Sequence, residues 1–172
     1  MVKEQIAGRG LRDEAVLAAL RAVPRHSFVP PGMEAEAYLD GPLPIGFGQT
    51  ISQPYMVALM TELLEVDARS RVLEVGAGSG YQTAVLAELV AAVEAVERIP
   101  QLAETARRRL GELGYDNVHV AVGDGTLGWA AHAPYDGILV AAAADEVPAA
   151  LLDQLTEGGR LVIPLGAPHR DQ

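Results

Sequence analysis

Apolar residues recur along the chain in two rhythms. Between residues 13 and 23, Val16, Leu17, Leu20 and Val23 share one helical stripe, Asp13 is a ready N-cap, and Pro24 ends the segment. From Pro54 onward, Met56, Leu59, Met60, Leu63 and Leu64 follow the i, i+3, i+4, i+7, i+8 pattern, which predicts a second helix with one buried side. Beyond Asp67 short apolar runs alternate with helical stretches. The pattern predicts strand 71–76, helix 81–90, strand 92–97, helix 100–113 closed by Gly114, strand 118–123, strand 136–142, helix 147–156 closed by Gly158, and strand 160–165. Ile138, Leu139 and Val140, and again Leu161, Val162 and Ile163, are apolar without alternation, the mark of strands buried on both faces of a parallel sheet. Right-handed crossovers then give the strand order 3-2-1-4-5 in one α/β, doubly wound, mostly parallel domain spanning 1–172.

The stretch between the first two helices has no sustained period. Pro30, Pro31, Gly32, Gly41, Pro42, Pro44, Gly46 and Gly48 make 25–53 a long irregular connection, and such loops in compact domains are usually functional.

The chemistry is announced at 71–81, RVLEVGAGSGY, where an apolar strand stops at Gly76, Gly78 and Gly80 and a helix follows. Glycine is required where the backbone takes positive φ or lies against a ligand, so this turn reads as a nucleotide cradle, although such turns also serve simply to pack a strand on a helix. The spacing is G-x-G-x-G, not the G-x-G-x-x-G of dinucleotide sites, and Glu74 precedes it. The second strand ends at Glu97, placed to accept from both hydroxyls of a ribose; the third ends at Gly123 and Asp124. This succession resembles the S-adenosylmethionine-dependent methyltransferases, the Rossmann-like class I fold. The resemblance implies that Glu74 and the glycines border the methionine part, Glu97 holds the ribose and Asp124 approaches the adenine amino group.

Composition narrows the field. The 172 residues carry a formal charge of −10 and are 49% hydrophobic, enough for a sizeable core and the wrong sign for duplex nucleic acid. The Arg107–Arg109 triplet reads as a solvated helix face. No cysteine and no apolar run of membrane length make a cytoplasmic protein, with neither nucleic acid nor membrane as partner, the expectation. His26, His119, His132 and His169 lack ligand spacing, so no metal site is expected and each reads as a surface or loop histidine. Trp129 and Tyr135 read as packing residues, and Asp145 with Glu146 as charge near a helix start.

A more specific resemblance is carried by LPIGFGQTISQPYMVALM (43–60), together with VPRHSFVP (23–30), the glycine turn and VPAALLDQLTEGGRLVIPLG (147–166). Taken together these resemble the protein-L-isoaspartate O-methyltransferases over essentially the whole chain. The resemblance makes 1–66 a helical and loop region carrying the substrate-site motif and 67–172 the cofactor-binding sheet. It places Ser52 at the catalytic centre with Thr50, and has Ile51, Gln53, Pro54 and Tyr55 line the junction of cofactor and substrate. The implied substrates are isoaspartyl-containing proteins and peptides. From position alone Ser52 is a cap for the helix beginning at Pro54, its hydroxyl meeting the N–H of Tyr55 or a neighbour.

Two departures stand out. Ala141 occupies a position where the family usually has threonine, and the chain stops before the carboxy-terminal strand pair that family members carry. The latter leads to the expectation of an exposed edge at 161–165 and of self-association, where full-length members are monomers. A small-molecule methyltransferase and a catalytically idle cofactor-binding module are the competing functions.

Overall fold

The computed structural model describes residues 1–142 and 144–166. Its centre is a five-stranded parallel sheet built from β3 (Arg71–Val75), β4 (Ala92–Glu97), β5 (Val118–Val122), β6 (Tyr135–Val140) and β7 (Leu155–Val162), in the order β5-β4-β3-β6-β7. This is the predicted doubly wound order. The strands before and after β3 lie on opposite sides of it, so the crevice at its carboxyl end is the switch point where such sheets bind ligands.

The helices follow their sequence signals with differences at the ends. In α1 (Glu14–Ala22) the Asp13 carboxylate accepts from the N–H groups of Ala15 and Val16, and Val16, Leu17 and Leu20 are buried as the stripe predicts. In α2 (Pro54–Leu64) the buried set is Val57, Ala58, Met60, Thr61 and Leu64, whereas Leu63 is half exposed and Met56 and Leu59 only partly covered. The stripe is rotated because α2 packs between the amino-terminal helices and the sheet, which requires small Ala58 and Thr61 against its neighbours. All seven residues of α3 (Tyr81–Ala87) are buried. The helix α4 (Pro100–Glu112) places Leu102, Ala103, Ala106 and Leu110 inward.

Three segments differ from the sequence reading. The connection 25–53 is not wholly irregular: Arg25–Phe28 form a helical turn, and β1 (Leu43–Gly46) pairs antiparallel with β2 (Gln49–Ile51). Its glycines and Phe47, with φ of 52°, form the turn of that hairpin, so composition concealed a strand pair. The predicted helix 147–156 is only α5 (Ala149–Leu152), and the last strand begins at Leu155. The Gln154 side chain explains this, since it accepts from the Trp129 N–H and donates to the Leu127 carbonyl and so ties the chain to the β5–β6 connection before another turn can form. Gly158, with φ of 80°, thus lies in an irregularity of β7 rather than at a helix end. Finally, Met1–Arg9 coil into short helical turns that bury Ile6 completely.

β7 is an edge of the sheet, as expected, with Leu161, Val162 and Ile163 half buried and Leu165 exposed. His169 lies outside the described residues.

Candidate active site

The carboxyl ends of β3 and β4, the segment after β5, and the end of the β1–β2 hairpin enclose a cavity of about 390 Å³. This suits a ligand of cofactor size. Thr50, Ile51 and Ser52 form one wall, Glu74, Gly76 and Gly78 the floor, and Glu97 and Asp124 the far side. Residues from the two regions that the sequence marked for chemistry therefore share one enclosure.

The floor is shaped by the glycine turn. Gly78 has φ of 54° and donates its N–H to Glu97 Oε2 at 2.8 Å, while the Ile99 N–H donates to Oε1 at 2.9 Å. Glu97 is buried and fixed by these two bonds, and each oxygen keeps lone-pair capacity for a hydroxyl. Gly80 is not in the cavity wall. Its φ is 89°, and a Cβ there would lie 3.2 Å from Leu110 Cδ1 and 3.3 Å from Ala106 Cβ, so this glycine lets the turn approach α4. Arg109 supports the same turn by donating to the Ser79 carbonyl at 3.1 Å, and Arg107 donates to the Val120 carbonyl. The triplet is thus not simply a solvated face.

The carboxyls differ in environment. Glu74 is fully buried, neither oxygen has a hydrogen-bond partner among the described residues, and desolvation raises its pKa to about 8. Asp124 is exposed and accepts from both the hydroxyl and the N–H of Thr126, which hold its pKa below the usual carboxylate value. Its second oxygen makes no hydrogen bond among the described residues.

Ser52 lines the cavity and does not cap α2: the residue at the cap is Gln53, without a side-chain cap bond. Gln53 instead donates its amide to Asp40 at 2.8 Å, Tyr55 stacks under the Arg9 guanidinium at 3.7 Å, and Pro54 is buried, so these three stand behind the wall. Gly123 lies in a neighbouring shallow recess with Trp129 and Val122. Ala141 is in the main wall, which is apolar at that point.

Sequence reasoning missed Arg25. It has no exposure, donates to the carbonyls of Ala37 (2.7 Å) and Ser52 (2.8 Å), and its guanidinium lies 4.7 Å over the Tyr81 ring. Desolvation lowers its pKa, against the opposing influence of Tyr81. An arginine between the apolar pairs Val23–Pro24 and Phe28–Val29 of VPRHSFVP was the available signal. Glu94 was missed also: it is buried in β4 with Oε1 2.9 Å from Nδ1 of the half-buried His132 and 3.4 Å from Nδ1 of His119, which is at the surface as expected. No group of described residues has the arrangement of a metal site, and no described helix is long and apolar enough to cross a membrane.

Comparison with known proteins agrees with this geometry. The chain is 62% identical over 167 residues to Protein-L-isoaspartate O-methyltransferase 2 of Pelobacter propionicus, covering 97% of this chain and 74% of that protein. It is 58% identical to the Protein-L-isoaspartate O-methyltransferase of Methanoculleus marisnigri, covering 96% and 76%. Among solved structures, a protein-L-isoaspartate O-methyltransferase superposes with a TM-score of 0.87 at 33% identity, covering 96% of this chain and 55% of that one. A protein-L-isoaspartate O-methyltransferase from Plasmodium falciparum, in complex with S-adenosyl-L-homocysteine, gives 0.82 at 28% identity, covering 96% and 83%. The family described as Protein-L-isoaspartate(D-aspartate) O-methyltransferase matches residues 1–172, from the hairpin wall to the glycine floor, and the chain belongs to that family.

Proposed function

We propose that this chain transfers the methyl group of S-adenosylmethionine to the α-carboxylate of L-isoaspartyl residues in damaged proteins and peptides, the first step of their repair, with Ser52 and Thr50 acting at the acceptor. The observation that carries this reading is the single cavity in which Thr50 and Ser52 face the glycine turn and Glu97. The residues present fit the cofactor: Glu97 offers two fixed oxygens to a diol, Asp124 has an oxygen without a hydrogen bond among the described residues, and Glu74, which lines the cavity, is a buried carboxyl without a hydrogen-bond partner among them. When bound, S-adenosylmethionine supplies a methyl group already activated by the sulfonium.

The acceptor needs little activation. A carboxylate of pKa about 3.9 is already anionic at neutral pH, so the protein's task is placement and exclusion of water. Good placement contributes about 7–11 kcal/mol. Short donors such as the Ser52 and Thr50 hydroxyls suit that task better than a strong base. The resulting methyl ester closes to a succinimide when the following backbone nitrogen attacks its carbonyl and methanol leaves, and hydrolysis returns part of the material as normal aspartate.

Calorimetric titration with S-adenosylmethionine, followed by transfer of labelled methyl to an isoaspartyl peptide and to its aspartyl twin, tests the reading. Label in the isoaspartyl peptide alone is expected. Label in neither peptide despite cofactor binding would favour an idle module, and label only in small molecules a different acceptor. The proposed setting is the cytoplasm, in keeping with a chain that has no cysteine. The proposed self-association would use the edge of β7, which pairs only with β6 among the described residues, and is tested by light scattering across concentration.

A further inference from the structure

Glu74 is a buried carboxyl that the chain itself leaves without a partner. It is the penultimate residue of β3, lines the cavity with no exposure, and neither oxygen is hydrogen-bonded among the described residues. Among the described residues no cation is paired with it. Its register partners are Ala95 on β4 and Leu139 on β6. Thr83 on α3 is close enough to lower its pKa but makes no hydrogen bond, and Glu97 at the end of β4 raises it. Arg98 lines the same cavity without bonding to it. Desolvation outweighs these effects and brings the carboxyl to about 8, so at neutral pH the empty site holds it protonated.

A protonated carboxyl beside a second carboxylate is complementary to an incoming positive charge, which relieves the penalty on ionisation. S-adenosylmethionine brings two such charges, an ammonium and a sulfonium. Resting on the cofactor reading above, we propose that Glu74 is neutral while the cavity is empty and becomes the cofactor's counter-ion on binding, its O–H bond breaking and the proton passing to solvent. Cofactor uptake is therefore coupled to proton release. The sign is fixed: below the free-state pKa each binding event discharges a proton, so affinity rises with pH and then levels once Glu74 is ionised beforehand.

The test is calorimetric titration of the whole chain in buffers of different ionisation enthalpy, between about pH 6 and 7, below the range where the ligand's own amino group titrates. With S-adenosylmethionine the wild type is expected to release close to one proton, and its affinity to rise by up to about tenfold per pH unit. Glu74→Gln is expected to show neither. Release with S-adenosylhomocysteine as well assigns the ammonium as the partner; release with S-adenosylmethionine alone assigns the sulfonium, and both outcomes support the proposal. Adenosine, which carries no charge, should bind wild type and variant alike without release, which also shows that the variant is folded. Tight cofactor binding without proton release in the wild type, or equal release in Glu74→Gln, overturns the proposal. A wild type that binds neither adenosine nor S-adenosylmethionine removes the cofactor reading itself, and this inference with it.

Discussion

Arg25 donates from Nη2 to the carbonyl of Ser52 at 2.8 Å, from a position with no solvent exposure. The bond ties the first turn after α1 to the wall of the active site across 27 residues of chain. Arg25→Ala would leave the carbonyls of Ala37 and Ser52 short of donors and open a void beside Tyr81. A loss of roughly 2–4 kcal/mol in stability is expected, with turnover falling more than cofactor affinity. Chemical denaturation and calorimetry on one preparation measure both. Unchanged stability would mean that Arg25 is not what holds this wall.

Ser52→Ala should keep cofactor affinity within a few-fold and lose most methyl transfer, because Ser52 lines the cavity and is not spent on a helix cap. Methyl-transfer kinetics with saturating cofactor decide this, and wild-type turnover would remove Ser52 from the reaction.

Glu97→Ala should abolish useful affinity for S-adenosylmethionine through two losses at once. It removes the acceptor for a ribose, and it frees the Gly78 and Ile99 N–H groups that fix the glycine turn. Adenosine affinity should fall as well, by at least about tenfold. A variant that still binds adenosine normally would contradict the assignment of this strand end.

Gly80→Ala forces a side chain into the left-handed region and within 3.2 Å of Leu110. The expected cost is about 1–3 kcal/mol, read as a lower unfolding midpoint with the fold retained. A variant as stable as wild type would show that α4 yields there easily.

Glu74 also predicts how stability varies with pH. Its folded pKa, about 8, is raised from 4.5. The stability it contributes is therefore complete below the unfolded value and is lost as pH rises toward the folded one, at roughly 1.4 kcal/mol per unit at most. Without ligand, Glu74→Gln should gain on wild type between about pH 5 and 8 in thermal unfolding scans, with no further gain above. Parallel curves for the two proteins would contradict the protonated state.

The sheet was legible because its strands carry unbroken apolar runs and its helices begin at prolines or end at glycines, as at Pro100 and Gly114. The floor of the site was legible for the same local reason: Gly76, Gly78 and Glu97 lie at strand ends whose position the pattern determines. What escaped depended on distant partners. Arg25 acquires its role only when Ala37 and Ser52 fold over it, and Gln154 shortens a helix through bonds to residues 25 or more positions away. The hairpin of β1 and β2 was hidden because prolines and glycines, the usual signs of irregular chain, here shape its turn and edges.

The adjacency of β5 and β4 sets Asp124 and Glu97 side by side at one rim of a protein of formal charge −10. Its consequence is kinetic. Such a rim draws a cationic ligand inward faster than diffusion alone delivers it, and added salt should slow that capture while leaving adenosine entry unaffected. Methyl transfer removes the charge on sulfur, so the attraction that speeds arrival weakens once the reaction is done, and the same field holds the spent molecule less.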